Sequence, residues 1–115
     1  MTAAGFPREA RLLSGVEFKR VFDARQVESN RYFRIHWAER SASAPRLGLA
    51  IAKRVARRAV DRNRIRRVAR ETFRLRRQQL RPADYIVLAR PPAVTADSHM
   101  LKLALDQLWL RFESP

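Results

Sequence analysis

The sequence predicts one α+β domain, a single-layer sheet packed with three helices. Two patterns predict it. Three stretches repeat apolar residues with a period of about 3.6, as a helix with one buried face requires. Three others alternate apolar and polar residues, or stay apolar throughout, over the length of a strand. The order is helix, strands, helix, strand, helix, and 115 residues suffice for one compact domain over 1–115 but not for two.

Each element follows from its residues. Gly5 and Pro7 oppose regular structure, so residues 1–10 are expected to form a flexible arm. Ser14 reads as a helix N-cap, with Glu17 three residues on completing a capping box. The helix that follows, Gly15 to Ala24, sets Phe18 and Phe22 four apart on one face. Arg31 to Glu39 reads as a strand with Phe33, Ile35 and Trp37 towards the core and Tyr32, Arg34, His36 and Ala38 on the other side. After a turn over Ser41 to Pro45, Leu47 to Ala52 forms another strand. Leu47, Leu49 and Ile51 line one side; small Gly48, Ala50 and Ala52 leave the other side shallow.

A long helix is predicted from Ala59 to Leu80. Ile65, Val68, Ala69, Thr72 and Leu75 fall within an arc of roughly 120° that faces a core. Asn63, Arg66, Arg67, Arg70, Arg74 and Arg77 form the opposite ridge. Pro82 ends the helix. Asp84 to Arg90 is apolar in nearly every position, which marks a strand buried on both faces, and Pro91 and Pro92 close it. Asp97 or Ser98 caps a last helix, His99 to Phe112, with Leu101, Leu105, Leu108 and Phe112 on its buried stripe. Residues 113–115 are expected to be a flexible end.

Composition points to a polyanion. The 25 basic and 11 acidic residues leave a net charge of +14, which repels itself unless an anionic partner compensates. Of the basic residues 22 are arginine, whose planar fork matches phosphate bidentately and stacks on bases. Between Lys53 and Arg77 twelve basic residues face only Asp61 and Glu71. Few counter-charges stand one helical turn away, and Arg62, Asn63 and Arg64 form a tight triplet of two phosphate forks and an amide. The absence of cysteine excludes disulfides and thiolate chemistry. No apolar run has the length of a signal peptide or a membrane span, so a cytoplasmic protein is expected, with no membrane association.

The same residues resemble a family signature. Gly48-Leu49-Ala50-Ile51-Ala52-Lys53-Arg54, Ala59-Val60-Asp61-Arg62-Asn63-Arg64-Ile65-Arg66-Arg67 and Arg70-Glu71-Thr72-Phe73 are similar to the bacterial ribonuclease P protein family. Its signature is a G-L-x-V-x-K-K strand followed by an R-N-R-x-K-R-x-x-R-E helix. Phe6-Pro7-Arg8-Glu9, Arg11-Leu12-Leu13, Glu17-Phe18, Val21-Phe22 and Asp84-Tyr85-Ile86-Val87-Leu88-Ala89-Arg90 fall in the family's order, so the likeness runs from Phe6 to Phe112.

The resemblance implies a sheet of about four strands in the order αβββαβα and a left-handed crossover around the central helix, as in the second domain of ribosomal protein S5. It implies a subunit of a bacterial ribonucleoprotein endonuclease whose catalytic RNA, with magnesium ions bound through that RNA, removes the 5′ leader of precursor tRNA. The protein itself is expected to hold no cofactor or metal and to need no obligate protein partner. Carried over, the contacts to the catalytic RNA fall on Arg57, Arg58, Arg62, Asn63, Arg64, Arg66, Arg67 and Arg70. The leader cleft falls on Arg11, Phe18, Phe22, Arg34, His36, Ala50, Ala52, Lys53, Arg54 and Arg90. Position 36 departs from the pattern, a histidine where many relatives carry a larger aromatic, and Arg54, Arg66 and Arg67 replace lysines.

Catalysis by side chains is not expected. The only histidines are His36 and His99, one on a strand and one at a late helix start, and an acid–base pair would have to bring them together. The carboxylates Asp61, Glu71, Asp84 and Asp97 lack metal-binding spacing. Asp61 suits the helix start, Glu71 a pair with Arg67, and Trp37 and Trp109 the core. The alternatives are a ribosomal or RNA-chaperone protein with no part in cleavage, and a DNA-binding architectural protein, for which no helix-turn-helix pattern is present.

Overall fold

Ser14 opens the first helix as its sequence requires: its Oγ accepts from the Glu17 N–H, and the Glu17 carboxylate accepts from the Ser14 N–H. This helix, α1 (Gly15–Asp23), is followed by β1 (Val27–Ser29), β2 (Phe33–Glu39) and β3 (Arg46–Ala50). The long helix α2 (Ala59–Arg76) ends in a single 3₁₀ turn over Arg77–Gln79 and leads to β4 (Ala83–Ala89). A one-turn helix α3 (Pro92–Thr95) precedes α4 (Ser98–Leu110), whose N-cap is Asp97, bonded to the Met100 N–H at 2.8 Å. The computed structural model describes residues 10–12, 14–40 and 44–114. The expected arm over residues 1–9, the family pieces at Phe6–Glu9 and Leu13, and most of the Ser41–Pro45 turn lie outside those residues. Ala10, counted with the arm, is buried.

The strands form one four-stranded sheet in the order β1-β2-β4-β3, antiparallel except for the parallel pair β3–β4. A parallel pair needs a long connection, and α2 supplies it. The register puts two different sets of side chains on the two faces. Arg34, Leu88 and Ala50 form one row, His36, Ile86 and Gly48 the next, and Ala38, Asp84 and Arg46 a third, all on the face covered by α1. Phe33, Ile35, Val87 and Tyr85 face the other way, against α2 and α4.

The larger core lies on that second face. Phe73, Tyr85, Trp109 and Phe112 meet edge-on or tilted, with centroids 5.0–6.3 Å apart, a favoured geometry for aromatic rings. The buried Trp109 Nε1–H donates to Thr72 Oγ1 at 3.0 Å, and that hydroxyl donates to the Ala69 carbonyl, so the polar atoms inside are satisfied. The smaller core, Leu12, Val21, Ala38 and Ile86, sits under α1, with Phe18 and Phe22 at its rim. Both faces of the sheet are therefore covered, as the apolar run of β4 predicts.

Three expectations are corrected. Phe73 is buried and Leu75 is 56% exposed, because α2 is turned by part of a residue step towards Trp109 on α4. The helix predicted to reach Leu80 stops at Arg76. The C-terminal end is tied down: Glu113 bridges to Leu80, and the Ser114 N–H donates to the Gln79 carbonyl at 2.7 Å. Finally, β1 and α3 are too short to show a period, and the residue patterns do not place them.

Candidate nucleic-acid interface

The basic residues divide according to what the protein itself already uses. Arg62 Nη1 donates to the carbonyls of Ala56 and Arg57, at 2.9 and 2.8 Å. It braces the loop after β3, where Ala56 is buried and its N–H donates back to the Ala52 carbonyl. That loop carries Lys53, Arg54, Arg57 and Arg58, all exposed. Arg64 reaches the other way, its Nη1 and Nη2 donating to Ala96 and Val94 carbonyls at 2.8 and 3.0 Å. It clamps the end of α3 against α2. Two arginines of the expected RNA-binding triplet thus hold the framework, and Asn63 between them is exposed and within 3.4 Å of Arg66 Nη1.

Other ridge members are engaged as well. Arg74 pairs with Glu71, which was expected to pair with Arg67, and Arg77 Nε donates to the Pro45 carbonyl at 3.2 Å. Arg58 and Arg64 each stand 3.9 Å from Asp61 at the helix start, where its charge suits the dipole. Among the described residues Lys53, Arg54, Arg57, Arg67 and Arg70 have no internal carboxylate partner. These five cations line one side of α2 and the loop before it.

On the sheet's α1 face the expected leader-binding residues do come together. Arg34 and Ala50 flank Leu88 in one row, His36 and Gly48 flank Ile86 in the next, and α1 lays Phe22 and Phe18 across them. The His36 and Phe22 rings meet edge-on at 4.8 Å. Gly48 does not leave a shallow surface, as expected; the Phe18 ring fills that space. Ala52, Lys53 and Arg54 continue from the end of β3. Arg90 lies beyond the end of β4, its Nη1 bonded to the Asn30 carbonyl at 2.6 Å. Burial, with Arg34 adding to it, pushes the His36 imidazole below its ordinary 6.5, so it is neutral at pH 7. Its Nδ1 is buried without a partner.

What positions α1 is an ion cluster that the sequence reading passed over. Asp84, fully buried, accepts from Arg46 Nε and Nη2 at 2.8 and 2.9 Å and from Arg20 of α1, with Arg40 at 3.5 Å. Arg46 also donates to Glu17 at 2.7 Å. Two residues of α1 are thereby fastened to β3 and β4. The signal was present in the sequence: a carboxylate opening an otherwise apolar strand has to be paired once buried.

The two basic surfaces meet. A cleft of about 190 Å³ at the β3 edge is lined by Arg11, Leu12, Phe18, Leu47, Gly48 and Leu49 on one side and by Arg66 and Arg70 of α2 on the other. Arg11 pairs as an isolated bridge with Leu47, and the Leu12 N–H donates to the Leu47 carbonyl at 2.9 Å. The family model for ribonuclease P matches residues 6–113.

The chain belongs to the ribonuclease P protein family. It is 47% identical over 106 residues to the ribonuclease P protein component of Methylococcus capsulatus, covering 92% of this chain and 83% of the relative. With the ribonuclease P protein component of Thioalkalivibrio sulfidiphilus it shares 44% over 112 residues, 96% and 92% of the two chains. The structure of the Staphylococcus aureus ribonuclease P protein superposes with a TM-score of 0.80 at 27% identity, covering 89% of this chain and 93% of that one. Within this ribonuclease P protein fold, His36 of β2 lies on the sheet face covered by α1, whereas His99 belongs to α4, which packs on the opposite face.

Proposed function

We propose that this ribonuclease P protein subunit holds two RNAs at once: the catalytic RNA against α2 and the 52–58 loop, and the single-stranded 5′ leader of precursor tRNA on the sheet face beside α1. The cleft in which Arg11, Phe18 and Gly48 meet Arg66 and Arg70 carries this reading, because it makes the two surfaces continuous. Unpaired Lys53, Arg54, Arg57, Arg67 and Arg70 supply phosphate contacts, and the edges of Phe18, Phe22 and His36 supply stacking. Stacking and charge tolerate any base, as leaders of varied sequence require.

In this reading the cleavage chemistry belongs to the RNA. His36 and His99 are held apart by the sheet and cannot share a proton transfer. Among the described residues no three His, Cys, Asp or Glu side chains converge to hold a metal. Magnesium is assigned to the partner RNA. The reading places the protein in the bacterial cytoplasm, and no helix among the described residues is long and apolar enough to cross a membrane.

Reconstitution with the catalytic RNA at low magnesium tests it. Cleavage of precursor tRNA should rise sharply when the protein is added, and the protein should favour leader-bearing over mature tRNA. An RNA-binding protein with no part in cleavage would bind but leave the rate unchanged.

A further inference from the structure

A second groove lies away from the cleft described above. It is an open groove of about 450 Å³ between α2 and the start of α4, lined by Arg67, Val68, Glu71, Thr72, Ser98, His99 and Lys102. That volume falls in the range of about 300–1,000 Å³ typical of ligand sites. The floor is apolar. Val68 is half-buried against the core, and the Thr72 hydroxyl is already spent between Trp109 Nε1 and the Ala69 carbonyl. Leu75, two turns beyond Val68 on α2, is more than half exposed, so an apolar stripe interrupts the basic helix here.

The rim has the opposite character. Arg67 has no internal carboxylate partner; His99 and Lys102 are exposed on α4, and Lys102 Nζ pairs with Asp106 at 3.1 Å. The one carboxylate on the rim, Glu71, is engaged by Arg74. An apolar floor bordered by the Arg67 guanidinium and by the polar side chains of Ser98 and His99 fits a nucleobase whose phosphate lies against the rim. A folded protein partner would meet the same +14 chain with far less to gain from its charges. The groove is also continuous with the helix proposed to bind the catalytic RNA, since Arg67 belongs to both.

We propose that this groove receives one unpaired nucleotide of the catalytic RNA, its base stacked on the Val68–Thr72 floor and its phosphate held by Arg67. This rests on the assignment of α2 to the catalytic RNA. It adds shape recognition to a surface that otherwise reads only charge.

The chain has no cysteine, so a single His99→Cys or Arg70→Cys can carry a thiol-linked photo-crosslinker in the full-length protein bound to the catalytic RNA. The label at 99 should mark one unpaired nucleotide, and the label at 70 its neighbourhood. Ser98→Leu, which adds bulk without a π face at an exposed position, should weaken RNA binding roughly tenfold, the loss expected of one stacked base. An abasic site at the marked nucleotide should cause the same loss, and the two changes together should cost no more than either alone.

Crosslinks from 70 but none from 99 would overturn the groove and leave the α2 assignment standing. Silence at both positions would overturn the two together. Additive losses from Ser98→Leu and the abasic site would also defeat the proposal, as would a protein captured at 99 in the RNA's place. Circular dichroism of the Ser98→Leu chain, expected to match the parent, separates misfolding from lost contact.

Discussion

Phe18 rests directly on Gly48: a Cβ at position 48 would stand 2.7 Å from Phe18 Cζ and 3.0 Å from Leu12 Cδ1. The absence of a side chain at this position of β3 is what lets the tip of an aromatic ring approach the sheet beside the basic cleft. Gly48→Ala should push that ring away at an overpacking cost of about 1–3 kcal/mol. Binding assays should show the preference for leader-bearing precursor tRNA reduced, with affinity for the catalytic RNA little changed. An unaltered preference would mean that Phe18 does not touch the leader.

Asp84 should be the costliest single carboxylate to remove. It is buried among Arg20, Arg40 and Arg46, and its loss leaves Arg46 partly buried with only Glu17 to answer it. Asp84→Ala should lower stability by about 3–5 kcal/mol, read by urea denaturation. Arg20→Met, which leaves the Arg46 fork in place, should cost less and loosen α1 alone.

Arg64 and Arg67 should separate folding from binding. Arg64→Ala removes two partly buried hydrogen bonds to carbonyls and should cost about 1–3 kcal/mol of stability. Arg67→Ala and Arg70→Ala should leave the melting temperature unchanged. Each should weaken binding to the catalytic RNA and reduce the salt slope of that binding by about one.

His36 should make stability pH-dependent on the acid side of neutrality. Its folded pKa lies below the ordinary 6.5, chiefly through burial. Between those two values the unfolded chain binds the extra proton and the folded one resists it. Stability from this group is therefore full above about pH 6.5 and falls as the pH drops towards the folded value. Thermal melts at pH 7.5 and 5.5 should differ more for the parent protein than for His36→Phe, which has no proton to gain. Equal differences would place the dependence elsewhere.

The sequence reading succeeded where a pattern is local. The Ser14–Glu17 box, the alternation around Ile35 and the apolar run from Tyr85 to Ala89 each state their structure within a few residues. It faltered where the partner is remote or is backbone. Nothing near Arg62 or Arg64 shows that carbonyls of Ala56, Arg57, Val94 and Ala96 will claim their forks, so both counted as free contacts for RNA. Leu75 and Phe73 exchanged places because a helical wheel fixes an arc only to within a residue step, and packing against Trp109 chose the rotation. Phe18, Phe22, Arg34, His36 and Ala50 share one face of the sheet, but the fastening of α1 through Asp84 joins it to Arg20, 64 positions away, beyond the reach of any local rule.

The parallel pairing of β3 with β4 has a mechanical consequence. Because β3 is an edge strand, one flank meets α1 and its aromatic rings while the other leads straight into the loop and helix that carry the free cations. On the proposed reading the strand is a caliper: five residues of hydrogen-bonded backbone set the gap between substrate and catalyst. A leader that shifts along one jaw then has to shift against the scissile position held by the other, so the place of the cut is measured by the sheet.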